Sequence, residues 1–221
     1  MKKSIAVIGL SRFGLNLVQD FSKLNVDIIA IDHNKDNVMK ASQYVQNVVV
    51  ADSTNIEALK EAGISNVDHA IVAIGQNEQA NLATSIITII KLKHLGIKEI
   101  TARADDSDSA EALKLVGANN IVLPLNIASE RIAYKISSLD IVDYFNIKGD
   151  FSVAEIKVKD DFPPTLITDL NIRNRYNLNI LLIEKDGIAS VPNKDTIINP
   201  GDEVFIFGKR NDLPKITNFF I

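Results

Sequence analysis

Apolar residues along the chain come in short blocks separated by helical patterns. SIAVIG (4–9), DIIAID (27–32), NVVVA (47–51), VDHAIVAIG (67–75), EITARA (99–104) and NIVLP (120–124) have the length and the aliphatic content of buried strands. Between them, 12–24, 34–43, 54–62, 77–95 and 107–116 have helical spacing, the first through Phe13, Leu17, Val18, Phe21 and Leu24. Gly63, Gly96 and Gly117 stop three of these helices. Strands that are apolar on both faces and alternate with helices predict a parallel sheet covered on both sides. Six of them in this order predict an α/β fold, a doubly wound parallel sheet of Rossmann type.

After Pro124 the pattern changes. Residues 126–145 read as one more amphipathic helix, so that 126–149 connects two domains. FSVAEIKV (151–158), NILLIEK (179–185), IASVP (188–192) and EVFIFG (203–208) read as strands. Helical pieces are expected near 167–176 and 210–219, and KDGIA and NPGDE are turn chemistry. The expected organisation is a Rossmann-type domain over 1–125, the connecting helix over 126–149, and a smaller α+β domain over 150–221.

Composition narrows the class of function. The 221 residues are 46% hydrophobic and 24% charged, the normal range for a globular protein. A net charge of −4 gives no electrostatic case for nucleic acid or an anionic membrane. With no cysteine, disulfides and thiolate metal sites are excluded. MKKSIAVIG starts like a signal peptide, but Ser11 and Arg12 break its apolar run too early. The longest apolar stretch, LATSIITIIKL (82–92), is far below the roughly 18 residues of a membrane span. The expected location is the cytoplasm.

The candidate chemistry gathers where strands end. IGLSRFG (8–14) is nearly the fingerprint Gly-x-Gly-x-x-Gly, with Ser11 at the middle glycine. Gly9 suits the tight turn after the strand, and Gly14 a close approach of helix to strand. Amides at the helix start face a phosphate. Ser11 adds a Cβ but also a hydroxyl donor, and Arg12 a charge that reaches a terminal phosphate. Asp32, with His33 beside it, ends the second strand 18 positions after Gly14. A carboxylate there accepts from both ribose hydroxyls and repels a 2′-phosphate. In ADST (51–54), Asp52 and Ser53 are placed for the adenine edge, while Asp52 is equally suited to cap a helix. Ala73, Ile74 and Gly75 end the fourth strand at the same edge. Arg103 either points a cation into the cleft or pairs with Asp105 or Asp106. His33, His69 and His94 lack catalytic or metal-binding spacing, and no acid/base for hydride transfer is evident in the second domain.

IGLSRFG, AIDHN, ADSTN, AIVAIG, ARA and GANNIVLP, followed by DLNIR and INPGDEVFIFG, closely resemble the RCK proteins, regulators of K⁺ conductance. The likeness covers the whole chain and is nearest to the cytosolic subunits of Ktr and Trk potassium transporters. It implies a homodimer that assembles into an octameric ring on a membrane-embedded potassium channel or transporter subunit. It implies regulatory binding of ATP, ADP or NAD(H), with no bond made or broken. Gly9, Ser11, Arg12 and Gly14 match the family's phosphate loop, Asp32 its ribose carboxylate, and Asp52 and Ser53 its adenine region. In several Ktr-type relatives the second domain binds cyclic di-AMP at a dimer interface. The matching positions here are Ile167, Ile172, Arg173, Asn179 and Pro192, where Arg173 pairs with phosphate and the isoleucines flank a purine, or the isoleucines simply fill the core. Some members hold a divalent cation through a glutamate after the proline; Leu125 stands there and cannot ligate one. The alternatives from other classes are an NAD-dependent oxidoreductase and an assembly module with a dead site.

Overall fold

A computed structural model describes residues 2–75, 79–137 and 141–220, the side chains of 79, 80, 137 and 217–219 excepted. The chain divides into two compact units, Met1–Leu125 and Asn126–Ile221.

In the first unit six parallel strands take the order β3-β2-β1-β4-β5-β6. They are β1 (Lys3–Ile8), β2 (Val26–Asp32), β3 (Val48–Val50), β4 (His69–Val72), β5 (Glu99–Arg103) and β6 (Asn120–Val122). Helices α1 (Arg12–Phe21), α2 (Lys35–Ala41), α3 (Ile56–Glu61), α4 (Gln79–His94) and α5 (Ser107–Leu115) connect them, with a 3₁₀ turn at Ile64–Asn66. Strand β1 shows why the chain folds this way. Ala6, Val7 and Ile8 are all at most 1% exposed, so both faces must be covered. One core lies on one face of the sheet through Ala6, Ile8 and Ile31, with Leu59, Ile89 and Leu113. The other lies on the opposite face through Val7, Ala30 and Ala73, with Val18 and Val38. The direction of winding reverses between β1 and β4, and ligands bind at such a switch point. The predicted fourth strand shortens: Ala73–Gly75 leave the sheet, although the Ala73 amide still donates to Ile8 at 2.7 Å. Residues 77 and 78 of the expected fourth helix lie outside the described residues.

The expected helix over 126–145 is corrected. Helix α6 covers Pro124–Ser137, and Ile141–Lys148 form a strand, β7. The tip Gly149-Asp150 joins β7 to β8 (Phe151–Lys157), and Gly149 has φ +57°. A glycine-containing two-residue loop between β-branched and aromatic runs is a hairpin signal; it outweighs the helical spacing of Leu139, Ile141 and Val142. Arg131 of α6 pairs with Asp143 of β7, and the Tyr134 and Tyr144 rings stack at 4.1 Å.

The rest of this unit holds β9 (Thr165–Leu166), α7 (Ile167–Leu170), α8 (Ile172–Tyr176), β10 (Asn179–Lys185), β11 (Ile188–Ser190), β12 (Ile197–Ile198), β13 (Glu203–Lys209) and α9 (Leu213–Phe220). Five strands form a sheet in the order β11-β10-β13-β8-β7, with β9 and β12 as a separate pair. The pairings within the sheet are antiparallel. The helical piece expected at 167–176 is two short helices, broken at Asn171 in the left-handed region (φ +46°). Ile156, Leu170, Ile206, Ile216 and Phe220 fill this core.

Candidate functional site

A cleft of about 1300 Å³ opens at the carboxyl edge of the first sheet. It is lined by Gly9, Ser11, Arg12, Phe13, Asp32, His33, Asp52, Ser53, Ile74, Gly75 and Arg103, with Leu125 at its margin. Asn16, Asn34, Asn37, Asn81 and Thr84 line it as well. Sequence reading missed those five, because polar residues in helices and loops carry no spacing that separates a ligand contact from a solvated face.

The glycine loop is built on two close approaches. Gly9 has φ +92°, and a Cβ there would come within 2.9 Å of the Ile74 amide nitrogen. A Cβ on Gly14 would stand 1.8 Å from the Gly9 carbonyl oxygen. Only glycine satisfies either position. Ser11 is different. Its φ of −62° and ψ of −175° are extended backbone open to any residue, so replacing glycine brings no backbone strain. Ser11 is the N-cap of α1, but its hydroxyl makes no capping hydrogen bond. Its Oγ is buried without a protein partner, beside the first-turn amides that a helix start leaves unpaired. Such an orphan donor facing a cleft fits an anionic ligand group.

Asp32 is 7% exposed. Its Oδ2 accepts from the Leu10 amide at 2.6 Å and from Asn37 Nδ2 at 3.3 Å. Its Oδ1 accepts from the Asn34 amide at 2.8 Å. The carboxylate thus fastens the glycine loop to the end of β2. An ionised carboxylate has about four acceptor positions, which leaves capacity for a ribose hydroxyl. His33 lies outside this network in the open, its Nδ1 3.5 Å from Asp32 Oδ1.

Asp52 is not the cap of α3. Asn55 is, accepting from the amides of Glu57 and Ala58. Asp52 Oδ1 instead accepts from the amide and the hydroxyl of Thr54, and these bonds hold its carboxyl below the usual range. The Ser53 hydroxyl is bonded to Thr88 of α4 at 2.8 Å, in the interior. Arg103 meets Asp105, with Nη2 at 2.8 Å and Nε at 2.9 Å from Oδ1. Its guanidinium also lies 5.6 Å from the centre of the Phe13 ring.

The second group of candidates is distributed through the smaller unit. Ile172 is 6% exposed in the core, and Ile167 packs against that core. Arg173 is exposed on α8, Asn179 pairs with Phe207 where β10 begins, and Pro192 is half-buried after β11. Among the described residues no group of three His, Asp or Glu is arranged to hold a metal ion, and no helix is long and apolar enough to cross a membrane.

The TrkA-N domain profile matches residues 5–124, and the TrkA-C domain profile matches residues 153–221. The Ktr system potassium uptake protein C of Bacillus subtilis (strain 168) is 35% identical over 217 residues, 97% of this chain and 96% of that protein. The Ktr system potassium uptake protein A of the same organism is 30% identical over 217 residues, 98% of this chain and 96% of that protein. Among solved structures, the GsuK channel bound to NAD has the same fold, with a TM-score of 0.65 at 18% identity, covering 100% of this chain and 39% of that one. Two domain profiles in register with the two units, and identity that runs the length of both Ktr proteins, show that the chain belongs to the TrkA-N/TrkA-C family, the RCK proteins.

Proposed function

We propose that the chain is the nucleotide-sensing regulatory subunit of a potassium uptake system, and that its ligand acts by shifting a conformational equilibrium. The observation that carries this is the cleft itself: an orphan hydroxyl on Ser11 beside the start of α1, closed by the Asp32 carboxylate. That combination suits the phosphate and ribose of an adenine nucleotide. ATP, ADP and NAD(H) share those groups, and one protein of this fold, the GsuK channel, has been solved with NAD. Sensing requires only that the ligand bind two states of the assembly with different affinity.

The partner is a membrane-embedded potassium-translocating subunit, in keeping with the names of the two Ktr relatives. The chain works at the cytosolic membrane face through that partner, as a dimer that builds an octameric ring. The smaller unit takes cyclic di-AMP around Arg173, which is exposed on α8, while Ile172 is buried in the core and Ile167 packs against it. Leu125 at the cleft margin offers no oxygen, so nucleotide binding here does not depend on a divalent cation at that position.

Titration calorimetry of the purified chain with ATP, ADP, NAD⁺, NADH and cyclic di-AMP tests the reading. Saturable binding of at least one adenine nucleotide, with a ring-sized particle in light scattering, is the expected result. Absence of nucleotide binding would leave an assembly module, and sustained oxidation of NADH with a small carbonyl compound would make the chain an oxidoreductase.

A further inference from the structure

Strand β13 reads EVFIFGK, and its successive side chains face opposite ways. Val204 and Ile206 are fully buried in the core of the smaller unit, in one cluster with Leu170, Ile172 and Ile216 from α7, α8 and α9. Glu203, Phe205, Phe207 and Lys209 stand on the other side of the sheet. Phe151 and Val153 of β8 share that side, as do Leu182 of β10, opposite Phe205, and Phe145 of β7, opposite Val153. A sheet with one solvated face alternates apolar and polar residues. Here both sides are apolar, and the outer one holds four of the nine phenylalanines of the chain. Among the described residues, none of these six outer apolar side chains belongs to a core cluster. Phe151 and Phe207 stack at 5.5 Å, yet Phe145 and Phe151 are 36% and 40% exposed.

The charges on this side are sorted by end. Glu203 stands directly opposite Glu184 and is hydrogen-bonded to Glu155, with Lys157 as its other cross-strand neighbour. Asp143, opposite Glu155, is paired with Arg131. Like charges directly opposite each other are unfavourable. At the far end of β13, about 20 Å away, Lys209 stands opposite Phe151, whose other neighbour is Lys148. One end is mainly acidic, the other is basic, and aromatic rings lie between. Turned end for end over itself, this face is complementary: Glu203 meets Lys209, and Phe205 meets Phe207. A two-fold axis that crosses the strands between Phe205 and Phe207 makes this match. An axis along the strands would set carboxylate on carboxylate.

We propose that the outer face of the five-stranded sheet is a contact with the same face of a second copy of the chain, with the two β13 strands antiparallel across it. Such a contact covers the exposed phenylalanines and brings cations to the crowded glutamates. Four strands about 4.8 Å apart, each seven residues long at about 3.3 Å, present roughly 400 Å². That is half the area each partner gives to a standard interface, so the contact is weak and depends on concentration. It rests on the smaller unit alone and is independent of any ligand in the first.

The chain has no cysteine, so thiols can be placed singly. Glu203→Cys and Lys209→Cys proteins are treated with a short thiol–thiol cross-linker, each alone and then mixed and equilibrated. Linked dimers are expected in the mixture and not in either protein alone. Positions 203 and 209 face each other across the contact, whereas like positions are about 20 Å apart. In sedimentation equilibrium, Glu203→Lys or Lys209→Glu is expected to weaken self-association about tenfold, because two attractive pairs turn repulsive. The two reversals combined should restore it. An unlinked mixture would overturn the proposal, leaving the face to solvent or to a different protein. Equal linking in all three samples, or a combined variant no stronger than the single ones, would overturn it as well.

Discussion

Asp32 was legible in the sequence as a carboxylate at the end of β2, but half of its work was not. Its oxygens accept from two backbone amides, Leu10 and Asn34, which lie 22 residues before it and two after it. No spacing rule announces a bond between a side chain and a distant amide. Asparagine at this position has one oxygen, so either flip turns an NH₂ group onto an N–H. Asp32→Asn is expected to destabilise the ligand-free protein by about 1–3 kcal/mol, the usual cost of a buried donor left without an acceptor. Urea unfolding without nucleotide measures it; an unchanged midpoint would mean the carboxylate serves the ligand alone. Ser53 shows the same limit from the other side. Its place after β3 was readable, but the direction of its hydroxyl, toward Thr88, depends on packing against α4.

Whole elements were read well where both faces of a strand are buried and poorly where one is open. The six parallel strands announce themselves as aliphatic runs, whereas β7, with Ile147 58% exposed, mixes polar and apolar residues that also fit a helix. The open side of this sheet has a pH-dependent consequence. Glu155 of β8 is hydrogen-bonded to Glu203 of β13, with Asp143 and Glu184 also near. Burial comes first, then the bond and the neighbouring negative charges, and together they push the Glu155 carboxyl up to about 7. A carboxyl with a raised folded-state pKa holds its proton more tightly when folded. Its stabilisation is complete below the ordinary value of 4.5 and is lost as pH rises toward 7. Lys157 on the same strand, and Arg131 and Lys135 near Asp143, are the cations of this region. His69 in the first unit acts in the opposite sense, since burial, then Lys3, lower its pKa. Thermal unfolding of the wild type and Glu155→Gln between pH 5 and 8 isolates the glutamate. The melting temperature of the variant should fall less with rising pH, and parallel curves would remove Glu155 from the balance.

At the scale of the molecule, each unit holds its own apolar clusters among the described residues. Of the two clusters of the first unit one ends at Ala73 and the other at Leu123, and the cluster of the second begins at Tyr134. Scanning calorimetry is expected to resolve two transitions. ATP at a hundred times its dissociation constant should raise the one belonging to Met1–Leu125 by roughly 10 °C, from the 2.7 kcal/mol such saturation supplies. The other transition should stay in place. A single transition moved as a whole would mean the units unfold together. The division near residue 125 was legible because the alternation of strand and helix stops there. The fate of 141–148 was not, because its partner strand lies on the far side of a turn.

The contact between Gly14 and the Gly9 carbonyl also bears on how such a loop changes over generations. Each glycine is confined by backbone rather than by a side chain that a second substitution could trim. Neither position can drift, alone or in concert with the other. Position 11 has ordinary backbone angles and a buried hydroxyl without a hydrogen-bond partner. Inherited variation within IGLSRFG is thereby channelled into position 11, which lines the cleft, while the turn itself stays fixed.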